Sequence, residues 1–373
     1  AIYFSFNDGK NWLSIQNNMP HAPVHHMVVQ EHFNDLVVGT YGRGFWIMDD
    51  ITPLQQFDKK VLKSEIHLFK PRNAYRFHRK TGSPSGSATA LINYYLKDKT
   101  DSGVTVRIKD SEGNIISTRR GSNQQGINRV SWNMRYPGAT SIKLRIKPED
   151  NPTVVEEKRY RTTWIKEGWY PFQSWGTSGG LSGYMVAPGT YTIELEADGK
   201  TFTEVLKVLK DPSSEGSQSE IQANLELQHK LQKDINLATK MINEVEWIRK
   251  KLVDLNDYPS EKGDKFHLSD KIKAFDSQLA KVEDQLLQPI SREGDSKSFR
   301  YPNRIYSKLS VLAGDVSKNF DFAPNKQQVE VYKNLHNRLI DIEKQLKQVL
   351  LVDLAEFNNL LQKNEISSIN SNW

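Results

Sequence analysis

The chain has 373 residues, with 51 lysines and arginines against 45 aspartates and glutamates, and it contains no cysteine. The lack of cysteine excludes disulfide bonds, thiol catalysis and cysteine-ligated zinc sites. Basic and acidic residues are interspersed, which argues against a nucleic-acid-binding protein, and no run of about 18 apolar residues predicts a transmembrane helix. A chain of this length is expected to hold two or three domains.

The first predicted element is a β-hairpin whose turn carries a specific motif. Segment 5–12 reads Ser-Phe-Asn-Asp-Gly-Lys-Asn-Trp and resembles the Asp-box (BNR) repeat S-x-D-x-G-x-x-W of β-propeller blades, with Asn7 at the usual Asp position. Ser5 and Asn7 can accept hydrogen bonds from turn amides, and Gly9 supplies a positive φ. Trp12 is placed to pack back over the turn. We expect the motif to be structural.

Three further strands are predicted after the hairpin, and residues 1–57 are interpreted as terminal propeller blade(s). The strands are Val24–Gln30, Asp35–Thr40 and Gly44–Asp49, with a turn at Tyr41–Gly44. A blade needs neighbouring blades on both sides. We therefore expect the chain to be the C-terminal part of a larger protein, in which other segments supply the missing strands.

Residues 58–87 are predicted to be a connector that leads into a second β-rich domain. Residues 88–209 contain six or seven short runs of alternating apolar and polar residues, separated by turn signals. This spacing is typical of an immunoglobulin-like β-sandwich. A long aromatic-rich insertion, 138–188, interrupts the pattern.

The apolar period changes to about 3.5 residues in the last third, which predicts helices. We expect an antiparallel helical bundle over residues 213–366, with breaks at 258–260 and Pro289 and a helix start at 323–325. The alternative is a coiled-coil dimer. Short loops favour packing within one chain.

The order of these parts resembles one protein family. The segments that carry the resemblance are 38–50, 67–72, 132–139 (Trp-Asn-Met-Arg-Tyr-Pro-Gly-Ala) and 187–191 (Ala-Pro-Gly-Thr-Tyr). They resemble the large bacterial BNR-repeat proteins with a sortilin-like propeller, which are often labelled glycosyl hydrolases. The resemblance implies a mainly β then α multidomain protein that is exported from the cytoplasm. Any catalytic pocket would lie in upstream blades, and a shared fold does not assign chemistry.

Two features of the sequence are candidate binding sites. Exposed aromatic side chains stack on sugars and are enriched at protein interfaces, whereas a packed aromatic loop would form a seam between the sandwich and the propeller. Arg43, between two glycines, either binds a ligand carboxylate or bonds backbone carbonyls between blades. The aromatic candidates are Trp164, Trp169, Tyr170, Phe172 and Trp175.

Other polar clusters predict neither a cofactor nor a metal. His25 and His26 are adjacent on a strand and point to opposite faces, so they do not suit one metal ion. His21, His32, His67 and His78 add no ligand spacing. Asp49 and Asp50 are adjacent as well, which suits a turn better than a glycosidase pair.

The sequence therefore predicts a non-catalytic bracing and interaction module. Its partners would be the upstream propeller blades and a protein or glycan ligand. The alternatives are part of a sialidase-like glycoside hydrolase with its active site in upstream blades, or a sortilin-like peptide-binding receptor.

Overall fold

The chain folds into two compact units. The first comprises residues 1–137 and 185–214, and the second residues 138–184 and 215–373. A computed structural model describes residues 2–15, 18–77, 89–148, 152–156, 158–172, 183–257, 265–288 and 302–371.

The first unit begins with two small antiparallel sheets. Strands β1 (Tyr3–Phe4) and β2 (Leu13–Ser14) form the predicted hairpin. A three-stranded sheet follows in the order β3-β4-β5. Its strands are β3 (Val24–Gln30), β4 (Asp35–Thr40) and β5 (Phe45–Met48).

The remaining strands of this unit form a five-stranded and a three-stranded sheet. Their orders are β10-β9-β14-β15-β7 and β11-β8-β6, antiparallel except for the parallel pair β15 and β7. Two short helices, α1 (Thr52–Gln56) and α2 (Lys59–Lys63), precede β6. The strands are β6 (Ile66–Leu68), β7 (Ala74–Arg76), β8 (Ala90–Leu96), β9 (Val104–Lys109), β10 (Ile115–Gly121), β11 (Gly126–Trp132), β14 (Gly189–Ala197) and β15 (Lys200–Lys210).

Alternating apolar residues explain these strands, since every second side chain of β9 and β14 is buried. The two sheets share core contacts: the Trp132 and Tyr191 rings meet at 5.5 Å. The predicted connector differs from expectation, because β6 and β7 lie within it and pair with β8 and β15.

The second unit combines the insertion with the C-terminal helices. The predicted insertion covers residues 138–188, and its residues 138–184 lie in the same compact unit as the helices. They contain β12 (Lys143–Leu144), α3 (Lys158–Glu167) and β13 (Tyr170–Pro171), and β12 pairs with β13.

The helical C-terminal region follows the predicted apolar period. A five-residue π-helical turn, Val349–Asp353, joins the last two helices. The predicted breaks at 258–260 and Pro289 lie outside the described residues. The helices are α4 (Gln218–Asp257), α5 (Lys265–Leu286), α6 (Ile305–Lys318), α7 (Lys326–Gln348) and α8 (Leu354–Lys363). The apolar residues that recur at this period and are buried in one shared core are Leu231, Ile235, Ala238, Ile242, Val245, Leu252, Ile272, Phe275, Leu279, Val282, Leu286, Leu335, Leu339, Ile342, Leu346 and Val349.

Local signals fix two of the helix ends. Asn325 and Gln328 form a reciprocal capping box, which confirms the predicted start of α7. The buried Asn224 of α4 donates from Nδ2 to the carbonyl oxygens of Asn319 and Phe322, at 3.2 and 3.0 Å. This side chain therefore satisfies carbonyl groups at the end of α6.

No helix in the described part of the chain is long and apolar enough to cross a membrane.

Gly216 allows the start of α4 to approach the turn after α6. A Cβ atom at this position would lie 2.0 Å from the carbonyl oxygen of Asp321, whereas a Cβ at Gly314 in α6 would meet open space. We predict that Gly216→Ala lowers the free energy of unfolding by about 2–4 kcal/mol, because backbone must move. Gly314→Ala should instead raise it by up to about 1 kcal/mol through helix propensity. Urea denaturation of both variants checks this, and equal effects would contradict it.

Candidate functional site, an open sheet face

The hairpin at the start of the chain is closed by its own polar side chains. Ser5 Oγ accepts hydrogen bonds from the amides of Asn7 and Gly9, at 3.3 and 2.9 Å. Asn7 Oδ1 accepts from the amide of Asn11 at 2.9 Å. Gly9 has the positive φ of 83°, and a Cβ there would lie 3.5 Å from the Trp12 ring. The predicted turn geometry is thus confirmed, and these residues hold a turn together.

Aromatic stacking attaches this hairpin to the rest of the unit. The Phe6 ring stacks on Phe57 with centroids 5.2 Å apart, and Phe57 meets Tyr95 of β8 edge-on at 5.3 Å. Contacts of this kind contribute about 0.5–1.5 kcal/mol beyond burial. The hairpin is therefore anchored to β8 through a chain of aromatic contacts.

The β3-β4-β5 sheet is apolar on both faces. Directly paired residues of antiparallel strands share a face, and the register places Val28, Val37 and Ile47 in one row. His26, Gly39 and Phe45 form the next row of that face, and the Phe45 ring lies over Gly39, 3.6 Å from where a Cβ would stand. We call its five other residues, Val28, Val37, Ile47, Gly39 and Phe45, the open face.

The open face is exposed although it is apolar. Phe45 is 84% exposed, Ile47 61% and Val28 50%, whereas Val38 on the opposite face is completely buried. A strand with adjacent apolar residues such as Val37 and Val38 is typical of a sheet covered on both sides. In this structure the opposite face is covered at its centre and the open face is not.

A cluster of polar side chains, Asp50, Asn93 and Arg129, holds the β3-β4-β5 sheet in place, and we call this cluster the polar joint. Asp50, which follows β5 with φ 56°, accepts from Asn93 Nδ2 of β8 at 2.8 Å and from the amide of Thr52 at 3.3 Å. Arg129 of β11 donates from Nε to Asn93 Oδ1 at 2.8 Å, which fixes the orientation of the amide. Arg129 Nη2 also reaches the carbonyl oxygens of Asp49 and Asp50. The end of β5 is thus tied to two strands of the three-stranded β11-β8-β6 sheet.

Arg72 makes a second set of contacts that hold the β3-β4-β5 sheet. Its Nη1 lies 2.9 Å from Asp35 Oδ1 at the start of β4, and it also donates to the carbonyl oxygen of Phe33. Asp35 Oδ1 in turn accepts from the amide of Asp50 at 2.8 Å. Segments 38–50 and 67–72, which carried part of the resemblance, are therefore linked by contacts that orient the open face.

Arg43 lies at the exposed tip of the β4-β5 turn, between Gly42 and Gly44, which have φ values of 70° and 72°. Its carbonyl oxygen accepts from Trp46 Nε1 at 3.0 Å. Small residues with positive φ allow this tight turn. Neither of its two predicted roles, ligand binding and bonding between blades, is tested by this arrangement.

The histidines are engaged with aromatic rings. His25 stacks on Tyr41 at 5.4 Å, and His32 stacks on Tyr75 at 5.6 Å. Burial lowers the pKa of His67. Among the described residues, no group of three histidine, aspartate or glutamate side chains could hold a metal ion. His78 lies outside these residues.

The aromatic insertion packs on the helical core of the second unit. Tyr170 is buried in that core, and Trp164 and Phe172 pack against it. Trp169 is partly buried: its Nε1 donates to Glu167 at 2.6 Å, and Lys143 Nζ lies 5.1 Å from its ring centroid. Trp164, Tyr170 and Phe172 therefore contribute to the core of the helical unit. Trp175 lies outside the described residues.

No protein-family model matches the chain, and no curated protein matches it significantly.

Substitution of the open face should change surface properties and leave stability unchanged. We predict that the double variant Phe45→Thr/Ile47→Thr lowers the fluorescence of the apolar dye ANS and reduces self-association in sedimentation velocity, because it removes exposed apolar area. The control Val38→Thr, on the buried face, should lower the melting temperature by several degrees. A matching loss of stability in the double variant would show that the open face is covered in solution.

The polar joint yields a second prediction. Asp50→Asn would place an amide donor against Asn93 Nδ2, so we expect a loss of about 1–3 kcal/mol in the free energy of unfolding. Asparagine tolerates the positive φ at this position, which isolates the hydrogen bond from backbone strain. Asp49→Asn is the matched control, because Asp49 is exposed and contributes its carbonyl oxygen. Equal stability of the two variants in urea denaturation would contradict a stabilising role of the Asp50–Asn93 hydrogen bond.

Proposed function

We propose that this chain is a non-catalytic bracing and interaction module of a larger, exported BNR-repeat protein with a sortilin-like β-propeller. In this proposal the β3-β4-β5 sheet is a propeller blade, and the strands between 88 and 209 form an immunoglobulin-like sandwich. The helices form an antiparallel bundle. The observation that carries the proposal is the open face.

The physical argument is that this face gains free energy when another sheet covers it. Full burial of a valine, isoleucine or phenylalanine side chain contributes about 1.5–3 kcal/mol. Because Val28, Ile47 and Phe45 are half to four-fifths exposed, covering them would contribute on the order of 3–6 kcal/mol. Blades of a propeller pack face to face in this way, and sheets stack about 10 Å apart.

The polar groups beside this sheet support a structural role rather than catalysis. Asp50 binds Asn93 in the polar joint, and Arg72 binds Asp35. Ser5 and Asn7 close the hairpin turn. The partner we propose is therefore a neighbouring blade of the same protein. The protein or glycan ligand of the assembled protein would bind elsewhere on that assembly.

Hydroxyl-radical footprinting of the complete gene product tests this proposal. We predict strong labelling of Phe45 in this chain alone and at least tenfold weaker labelling in the complete protein, because the neighbouring blade excludes solvent. Phe322, which is exposed in the helical unit, is the matched control and should be labelled equally in both. Equal labelling of Phe45 in both proteins would overturn the proposal.

A further inference from the structure

Segment 142–147 of the second unit, which includes β12, alternates apolar and basic residues. Ile142 and Leu144 are buried in the helical core, whereas Lys143 and Arg145 are partly exposed and Lys147 is exposed. A period of two is that of an extended chain, in which successive side chains point to opposite sides. The basic side chains therefore lie on the side away from the core.

Hydrogen bonds to neighbouring elements hold the backbone of this segment in place. Strand β12 pairs with β13. From α4, Asn243 Oδ1 accepts from the amide of Lys143 at 2.7 Å, and Asn243 Nδ2 donates to the carbonyl oxygen of Ser141 at 3.1 Å. Glu246 Oε2 accepts from the amide of Ile146 at 2.8 Å. The basic side chains thus extend from a backbone whose position is fixed.

Both lysines of the segment lie over tryptophan rings that were predicted as binding candidates. Lys143 Nζ is 5.1 Å from the ring centroid of Trp169, which follows α3, and Lys147 Nζ is 5.8 Å from that of Trp164 in α3. A cation over an aromatic face is attracted by the ring. The two tryptophans therefore position ammonium groups at the surface of the unit.

Trp247 of α4 extends this surface. Arg145 Cζ lies 5.6 Å from its ring centroid, and Lys251 Nζ lies 4.6 Å from it. The buried carboxyl group of Glu246 attracts Arg145, so the charge of this arginine is offset within the unit. The lysines of the surface have no such partner.

The carboxylates near these lysines are already engaged. Glu167 accepts from the indole Nε1 of Trp169 at 2.6 Å, and Asp254 binds Lys250. Within the described part of the chain, no carboxylate forms a salt bridge with the lysines of the surface, which are Lys143, Lys147 and Lys251. The surface therefore carries three positive charges without a paired carboxylate.

Two indole groups of the surface can also donate hydrogen bonds to a ligand. The side chains of Trp164 and Trp247 are partly exposed, and their Nε1 atoms have no hydrogen-bond partner among the described residues. Ammonium and indole N–H groups are donors only. This surface thus matches a ligand that is anionic and rich in acceptor oxygens.

We propose that this surface binds an acidic polysaccharide with a carboxylate on each sugar, a polyuronate. The three lysines bind its carboxylates, and the indole N–H groups donate to its hydroxyl and ring oxygens. Single-stranded nucleic acids are also anionic, but proteins bind them by stacking bases on open aromatic faces, and here lysines lie over the rings. The proposal rests on the proposed function, because it places the glycan ligand of the assembled protein on the second unit.

Binding of a galacturonate decamer to the full chain tests the proposal, measured by isothermal titration calorimetry at low ionic strength, where charge contacts are least screened. The matched ligand is the same decamer with every carboxyl group methyl-esterified, which keeps the sugars and removes the charges. We predict that the ester binds about tenfold more weakly, because three exposed charge contacts are lost.

Variants locate the binding site. Lys143→Gln/Lys147→Gln should weaken binding of the galacturonate decamer about fivefold, since two of the three charge contacts are lost. Lys308→Gln/Lys333→Gln removes the same charge from exposed positions of α6 and α7 and should leave the affinity unchanged. Trp247→Phe keeps a ring but removes the N–H donor, and should weaken binding about threefold.

The proposal is overturned if the chain does not bind the galacturonate decamer, if the ester binds equally, or if Lys143→Gln/Lys147→Gln, folded by circular dichroism, binds as the unmodified chain does. Tighter binding of a thymidine decamer that is lost in the same variant would overturn it in favour of a nucleic-acid site. None of these measurements involves the open face, so their outcome is independent of the labelling of Phe45.

Discussion

A sheet with apolar side chains on both faces must be covered on both faces, and this constraint governs the first unit. In β4, Val38 faces the buried side while Val37 faces the row of Val28 and Ile47. The free energy available from covering the second face is comparable with the marginal stability of an ordinary domain. The open face is therefore the feature of this chain that most directly implies a partner surface.

The polar joint fixes the position of the sheet that carries the open face. A buried carboxylate is tolerated only when its hydrogen bonds are satisfied, and Asp50 achieves this through Asn93 and the amide of Thr52. Arg129 and Arg72 then bind the oxygens around the end of β5 and the start of β4. The sheet is held at this one end, which leaves the open face free to pack against another layer. In the second unit the buried Glu246 side chain likewise has hydrogen-bond partners, since its Oε2 accepts from the backbone amides of Arg145 and Ile146.

Much of the fold is predictable from the sequence because apolar residues recur at regular intervals along its strands and helices. The alternation in β9 and β14 and the seven-residue spacing in α4 each depend on apolar residues at regular positions. The hairpin turn was predictable because Ser5, Asn7 and Gly9 act locally. The prediction of several β-sheets followed by a helical region is confirmed.

Other features depend on partners that are distant in the chain, and so the sequence does not reveal them. Asn243 and Glu246 are polar residues on a long helix, which ordinarily indicates a solvated face; here they accept hydrogen bonds from the backbone amides of Lys143 and Ile146, about a hundred residues earlier in the chain. Residues 138–184 of the predicted insertion, 138–188, lie in the same compact unit as the helices, and their buried apolar residues share its core. The role of Asp50 was hidden in the same way, since its partner Asn93 lies in another sheet.

We expect the open face to pack against another β-sheet, and an experimental structure of the complete gene product would test this packing. Side chains of a neighbouring sheet should then lie within about 4.5 Å of Phe45 and Ile47, the distance of apolar contact. A structure in which both side chains face solvent, or are covered by something other than a sheet, would contradict it.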